Sequence, residues 1–596
     1  MQPSPPALRI HWIYCLSDSM TSRDSQFGEL NLRDSALILL ASLIALLPLL
    51  LRGPSCGHDL DFHMTNWLEV SEQWRHGILW PRWAFSPGWG AGEPRFIFYP
   101  PLSWLLGGIF ALVMPLRIIP AAFTFTAFLA SGFTMRRLAA EFTSPLSATV
   151  GAVFYLANPY MLFCAYERCA YGELLAAAWI PLLLLAALKD HISPRRVAIA
   201  VALLWLTNVP SAVMGCYLFA LIMLLRLLLL ARKAYAGRHL AAMGPLLLRA
   251  SAGAALGLGL AGFYLVPAVW EKRWIQVHFA LAPYMRVQDN TLFHHTLDYR
   301  HDLVLLTASH VALVMIAISA ASFFAAWYRR IHLNRRLTAV LGVTAFCLIL
   351  GLTRASLFAW HLPELQYLQF PWRTLSLLAA VSGVLLALAA YGRRATLIVA
   401  AILLPLVLVP PAWKQFQIPC IWDDAPNPQL NYFRNGYGVT AFDEYTPATA
   451  DNDALQDEIN PYWLADDAQG ISRHQPNTNG VIDFSTAEAF PLATPHPRFL
   501  MVRLRNYPGW QVHVNGAPAT LIPRPDGLLA IALPPGGATV SIRYRVMPDE
   551  VIGALISLLA LIIFNLLRRR SRHRGMNALS IPVPQGAPFL PCALPT

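Results

Sequence analysis

Long apolar runs broken by short charged connections set the pattern of this chain. They fall near 35–52, 118–135, 146–165, 172–188, 195–209, 211–231, 247–268, 303–328, 337–352, 373–391, 395–412 and 551–567. A spanning helix needs about 20 apolar residues, so the pattern predicts a polytopic α-helical membrane protein of about 12 transmembrane helices. A further run, Leu102–Met114, begins directly after Pro100 and Pro101 and is short, which predicts a juxtamembrane or re-entrant helix. Basic residues decide its status. With that run not counted as a span and the N-terminus inside, Arg136–Arg137, Lys189 with Arg195–Arg196, Arg232–Lys233, Arg329–Arg330 with Arg335–Arg336, Arg393–Arg394 and Arg568–Arg570 all lie in cytoplasmic connections. Both termini are then cytoplasmic.

The same threading gathers the polar and aromatic loops on the other side: 54–117, the short loop near 164–174, 269–302 and 353–372. Between the last two spans, 413–548 turns rich in Pro, Asn, Asp and Gly. Its second half alternates apolar and polar residues between turn signals such as NYPG, VNGA, PDG and PPGG. That predicts a small extracytoplasmic β-sandwich-like domain. A disordered cytoplasmic leader (1–34), a membrane domain (35–412), a last transmembrane helix (549–570) and a cytoplasmic tail (571–596), disordered after Arg574, complete the expected organisation.

Composition sharpens this picture. Of 596 residues, 56% are hydrophobic and 13% charged, too much apolar surface for a soluble chain of this length. The net charge of +12 arises from arginines at the ends of apolar runs, which sets orientation and is no sign of nucleic-acid binding. Eight cysteines in so long a chain are not a disulfide framework. Cys164 and Cys169 either bridge across a short loop or remain unpaired membrane cysteines.

The candidate chemistry lies in Gly57–Pro101. Asp59 and Asp61, flanked by His58 and His63, follow the first apolar run by a few residues. Carboxylates so near a bilayer are costly and usually functional; the alternative is a helix cap or a solvated loop. Two residues apart, they share a face on an extended segment but not on a helix. Such a pair suits a general base that takes the proton of an attacking hydroxyl. The four side chains also offer mixed oxygen and nitrogen ligands to Mg or Mn, held transiently with a phosphate, although the spacing matches no closed zinc pattern. Arg82, Arg95 and Arg373 present planar forks to phosphate oxygens, against the alternative of headgroup pairing. Glu167, Arg168 and Glu173 crowd a short outer loop, lining a cavity or forming a rim salt bridge. Trp67, Trp74, Trp80, Trp83 and Trp89 with Phe96, Phe98 and Tyr99 read as an interfacial aromatic belt. The His- and Asp-rich loop 269–302 reads as a substrate lid or a merely solvated loop.

An acidic motif after the first span, an aromatic loop leading to YPPL and a polytopic body resemble the GT-C superfamily of membrane glycosyltransferases. GHDLDFH, PRW, FYPPLSWLLG, LANPYML, YERCAYGELLA and QFPWR together resemble the bacterial membrane proteins labelled 6-pyruvoyl-tetrahydropterin synthase-related, and YPGWQVHVNG is similar to an element of large bacterial membrane proteins implicated in glycosylating cell-surface polymers. The resemblance implies a plasma (inner) membrane location, a polyprenyl-phosphate sugar donor and a glycan, lipid or cell-surface polymer acceptor on the outer face. It places the catalytic carboxylate at Asp59 or Asp61, and implies no pterin chemistry. The remaining candidates, His58, His63, Arg82, Arg95, Glu167, Arg168 and Arg373, would then contact substrate. A transporter or assembly scaffold for lipid-linked glycans is the competing expectation. It is disfavoured because the apolar runs carry almost no acidic residue at their centres. A third expectation makes 413–548 a carbohydrate-binding module on a membrane anchor.

Overall fold

A computed structural model describes residues 31–235, 243–329, 335–390, 392–421, 425–435, 442–455, 460–470, 473–474, 489–492, 499–535 and 538–579. Most of the expected leader (1–30) and the end of the expected tail (580–596) lie outside the described residues. The protein is a helical membrane domain carrying a two-sheet β domain. Ten described helices are long and apolar enough to cross a membrane, or eleven if one bent pair is a single span.

The helices run α1 Leu32–Arg52, α2 Leu60–Arg75, α3 Pro101–Val113, α4 Ile119–Ala139, α5 Pro145–Ala157, α6 Pro159–Tyr166, α7 Tyr171–Ala176, α8 Ile180–Leu188, α9 Pro194–Trp205 and α10 Val209–Tyr235. They continue with α11 Met243–Leu260, α12 Gly262–Glu271, α13 Tyr299–Tyr328, α14 Arg335–Leu350, α15 Leu375–Ala389, α16 Arg394–Phe416, α17 Pro426–Asn435 and α18 Pro548–Leu579. Prolines punctuate them. Pro101, Pro145, Pro159 and Pro194 each stand in a first turn, where the missing N–H costs nothing. Two apolar runs form shorter structures than the sequence pattern predicts. The run at 195–209 gives the 12-residue α9, packed on α11. The run at 337–352 ends in a 95° bend after α14. The α3 helix has only 13 residues, below spanning length, and α18 continues as helix to Leu579, past Arg574.

Two ends of the bundle have different chemistry. At one, Arg136 donates to Asp34 at 2.6 Å, Lys189 pairs with Glu141 at 2.9 Å, and Arg226 caps the carbonyl of Lys189 at 2.8 Å. At the other, the chain leaving α1 meets the chain leaving α16: Cys56 and Cys420 form a disulfide across 364 residues. Cys164, Cys169, Cys216 and Cys347 are free thiols. The bridge joins two membrane-domain ends, a pairing that local cysteine spacing cannot reveal.

The β domain has two antiparallel sheets. One has the order β2 (Arg473–His474), β1 (Tyr462–Ala465), β4 (Phe499–Arg505), β8 (Leu528–Ala532), β7 (Leu521–Ile522); the other has β3 (Ala489–Leu492), β9 (Ala538–Tyr544), β5 (Trp510–Val514), β6 (Ala517–Pro518). Leu500, Val502, Leu504, Leu529 and Ile531 of the first face Trp510, Val512, Val540 and Ile542 of the second in one core. Alternation is the cause: inward residues fall at every second position.

Where the sheets meet the membrane domain, Glu271 at the end of α12 accepts from Tyr507 Oη at 2.5 Å, beside Asp549 and Glu550, while Arg82 pairs with Glu550 at 2.7 Å. Burial pushes the Glu271 carboxyl up to about 8, and the charges of Asp549 and Glu550 push the same way. The folded protein thus holds a proton that the unfolded chain, at an ordinary carboxyl value, releases. Its contribution to stability is complete below the ordinary value and is lost as pH rises through about 8. The unfolding free energy of the detergent-purified protein is expected to fall between pH 5 and pH 9, by up to about 1.4 kcal/mol per pH unit for this group, and the apparent melting midpoint should fall with it. Glu271→Gln should flatten that slope. An unchanged slope in the variant would remove Glu271 from the account.

Candidate active site

The segment between α1 and α2 is clamped against the turn between α6 and α7. His58 N donates to Glu167 O at 3.2 Å and Asp59 N to Arg168 O at 2.9 Å. Glycine is required for that approach, because a Cβ on Gly57 would stand 2.0 Å from the Glu167 carbonyl oxygen. Helix α2 begins immediately afterwards, so Asp59 and Asp61 point to different sides of it.

Asp59 occupies the N-cap position, yet its side chain makes no capping hydrogen bond. Asp59 is half-buried and within the electrostatic reach of Arg168, Arg373, Tyr99 and His63. Asp61 is half-buried and accepts from Phe62 N at 2.7 Å. His63 lies inside. Burial pushes its imidazole down to about 4, Arg95 and Arg168 reinforcing that and Asp59 opposing it, so it is neutral at physiological pH.

The cations come from two separate motifs. In YERCAYGEL the chain turns through Cys169 at φ +51°, while the Cys169 thiol donates to Ser55 O at 3.1 Å. The turn aims Arg168 at Glu173, 2.6 Å away. In QFPWR, Phe370 stacks on Trp372 at 4.6 Å and Pro371 starts a 3₁₀ turn. Arg373 then lies over Phe370, donates to Leu368 O at 3.0 Å and approaches Glu173 at 3.7 Å. Glu173 takes a third partner, Tyr160 Oη at 2.6 Å. Tyr160 is set by the LANPY segment, where Asn158 Oδ1 accepts from Tyr160 N at 3.0 Å and Met161 N at 3.2 Å. Tyr99, from FYPP, completes the group; burial and then the Asp59 charge push its phenol up.

Glu167 is buried on the neighbouring rim, where burial pushes its carboxyl up to about 8 against the pull of Arg168. Two other candidates are held elsewhere. Arg82 pairs with Glu550 at the β-domain junction. Arg95 is wholly buried, bonded to Glu93 at 2.5 Å and Asn66 at 3.0 Å and lying over Phe62 and Phe442; it forms the wall behind His63. His58 is exposed and close enough to His301 for their charges to interact. The loop carrying His278, His294 and His295 is tied down at Gln276, which bonds to the Thr446 and Pro447 carbonyls, and at Gln369, which bonds to Ala280 O.

The aromatic residues behave differently from an interfacial belt. Trp67 is fully buried and stacks on Phe123 at 5.4 Å, and Trp83 and Phe96 are also buried; of the five tryptophans, Trp89 is the exposed one. The loop folds inward because its polar atoms find partners there: Gln73 Nε2 donates to Trp83 O at 2.8 Å. Tyr160 was invisible as a site residue, its one signal being the Asn-Pro cap that fixes its helix. Among the described residues no three His, Cys, Asp or Glu side chains converge as metal ligands, so the HDLDFH segment offers Mg or Mn no closed protein cage.

No protein-family model matches the chain, and no curated protein matches it. Among solved structures, it is similar to a mycobacterial arabinofuranosyltransferase, AftD, at TM-score 0.42 and 16% identity over 66% of this chain, and to an Archaeoglobus fulgidus oligosaccharyltransferase at TM-score 0.32 and 15% identity over 64%. This chain spans 28% and 52% of the lengths of those two chains. Overlap this loose carries no functional inference.

Proposed function

We propose that this chain is a membrane glycosyltransferase that moves a sugar from a polyprenyl-phosphate donor to an acceptor hydroxyl at the extracytoplasmic face of a bacterial inner membrane, both termini being cytoplasmic. Asp59 takes the acceptor proton as the acceptor oxygen bonds to the anomeric carbon. The bond from that carbon to the phosphate oxygen breaks, and polyprenyl phosphate leaves against Arg168 and Arg373. Asp61, one side of α2 away, would serve the acceptor rather than the proton transfer. Any Mg or Mn would arrive with the donor phosphate and share Asp59.

One observation carries the reading. A carboxylate placed at a helix start and left out of its cap lies within electrostatic reach of two guanidiniums braced by a common buried glutamate. A base and a leaving-group binding site need to stand side by side in this way. Sidedness has separate support, since a disulfide beside the site suits an oxidising compartment. The resemblance of GHDLDFH, FYPPLSWLLG and QFPWR to GT-C and pterin-synthase-labelled membrane proteins agrees.

The test is a donor panel. Purified protein in proteoliposomes is given polyprenyl-phosphate sugars with labelled sugar, and both labelled product and released polyprenyl phosphate are measured. Release and transfer in equal amounts are expected for one donor class. Movement of intact donor across the bilayer without release would replace the enzyme reading with a transporter.

A further inference from the structure

A cavity of about 1300 Å³ lies along the last turns of α2, between the end of α3, α17 and the edge of the β domain. It is separate from the Asp59 centre: ten residues of helix, about 15 Å, lie between Asp59 and Glu69 on its wall. Its volume exceeds the 300–1,000 Å³ or so typical of small-molecule sites.

The lining is mixed. Ala111, Leu112, Val113 and Leu116 from the membrane side meet Leu430 and Phe433 of α17 in a continuous apolar floor. Leu112 is 43% and Val113 74% exposed at the mouth, just before Leu116–Ala139, a segment long and apolar enough to span a membrane, begins. The same cavity is lined by Arg75, Arg117, Arg434 and Arg503, Arg117 and Arg434 directly following Leu116 and Phe433. Its two acids are already engaged. Glu69 accepts from Ser86 N and Gln73, and Glu72 pairs with Arg75 at 3.0 Å and His76 at 3.6 Å. Arg117 and Arg434 are exposed and form no ion pair among the described residues. The excess charge therefore lines the same cavity as the apolar floor, and all of it is guanidinium, the group that grips phosphate in a planar fork.

We propose that this cavity binds a phosphate-bearing anionic lipid, its acyl chains on the α3–α17 floor and its phosphate between Arg117 and Arg434. Surplus guanidinium charge selects an anion, and a floor open to the bilayer selects an amphiphile over a free ion. The site does not depend on the transfer reaction proposed for Asp59. Its occupant would couple α17 to the β domain, whose Pro461 and Arg503 also line the cavity.

The experiment is a titration of full-length protein in detergent with fluorescent phosphatidylglycerol, and with the matching phosphatidylcholine. Inorganic phosphate serves as competitor. Arg117→Gln combined with Arg434→Gln is expected to weaken phosphatidylglycerol binding about tenfold or more. Leu112→Trp, which fills the floor, should weaken it with the arginines intact. Arg196→Gln, in an Arg-rich connection at the other end of the bundle, should leave it unchanged, as should millimolar phosphate. Equal affinity for both lipids, displacement by inorganic phosphate, or wild-type binding by the double variant would each overturn the proposal.

Discussion

Asp59→Asn is expected to reduce sugar transfer by about 10³-fold while leaving the protein as abundant and as heat-stable as the wild type. General-base catalysis by a positioned carboxylate is worth roughly 10²–10⁴-fold, and the amide cannot accept the proton. The substitution is nearly isosteric, and the backbone of residue 59 keeps its bond to Arg168 O. No helix cap is lost, because the carboxylate does not cap α2. An activity loss caused by unfolding would lower the melting midpoint as well, so the two readouts together isolate chemistry. Asp61→Asn should be milder, since its amide oxygen still accepts from Phe62 N. Wild-type transfer by both variants would remove the base from this site and the proposed mechanism with it.

Much of the fold was readable because bilayers impose a coarse rule. Backbone polar groups must be satisfied within each span, so apolar length predicts helix. Tertiary packing decides the rest. The 195–209 run looks like a span, yet only 12 of its residues form α9, and Trp179 Nε1 bonds to Thr207 just after it. The aromatic loop looked interfacial for the same reason: tryptophans at a membrane boundary and tryptophans in a buried cap have the same local sequence. What distinguishes them is the partner, such as Phe123 against Trp67, and partners are long-range. The Cys56–Cys420 bridge is the extreme case.

The candidate site divides along the same line. Asp59, Arg168, Glu173 and Arg373 stood out as charges at the edges of apolar runs, because charge there is expensive. Their convergence was not visible, and neither was the part played by Tyr160, which no charge marks. Arg82 and Arg95 stood out on equal grounds, but they neutralise Glu550 and Glu93. Sequence shows which charges need a partner, and only packing shows whether that partner is protein or substrate.

That distinction makes Glu173 the most informative position after Asp59. Its carboxylate lies 2.6 Å from Arg168 and 3.7 Å from Arg373, with Tyr160 donating at 2.6 Å. All three partners are buried or nearly so. Glu173→Gln keeps an oxygen for Tyr160 but removes the one buried carboxylate that both guanidiniums share. Removing one partner of a buried pair costs about 3–5 kcal/mol, so the melting midpoint should drop clearly and turnover should fall with it. A structural brace and a phosphate-site organiser differ in the response to anions. Polyprenyl phosphate restores the missing negative charge, so it should raise the midpoint of Glu173→Gln more than that of the wild type. Equal shifts in both proteins would reduce Glu173 to a packing residue and leave Arg168 and Arg373 without a shared role in holding the leaving group.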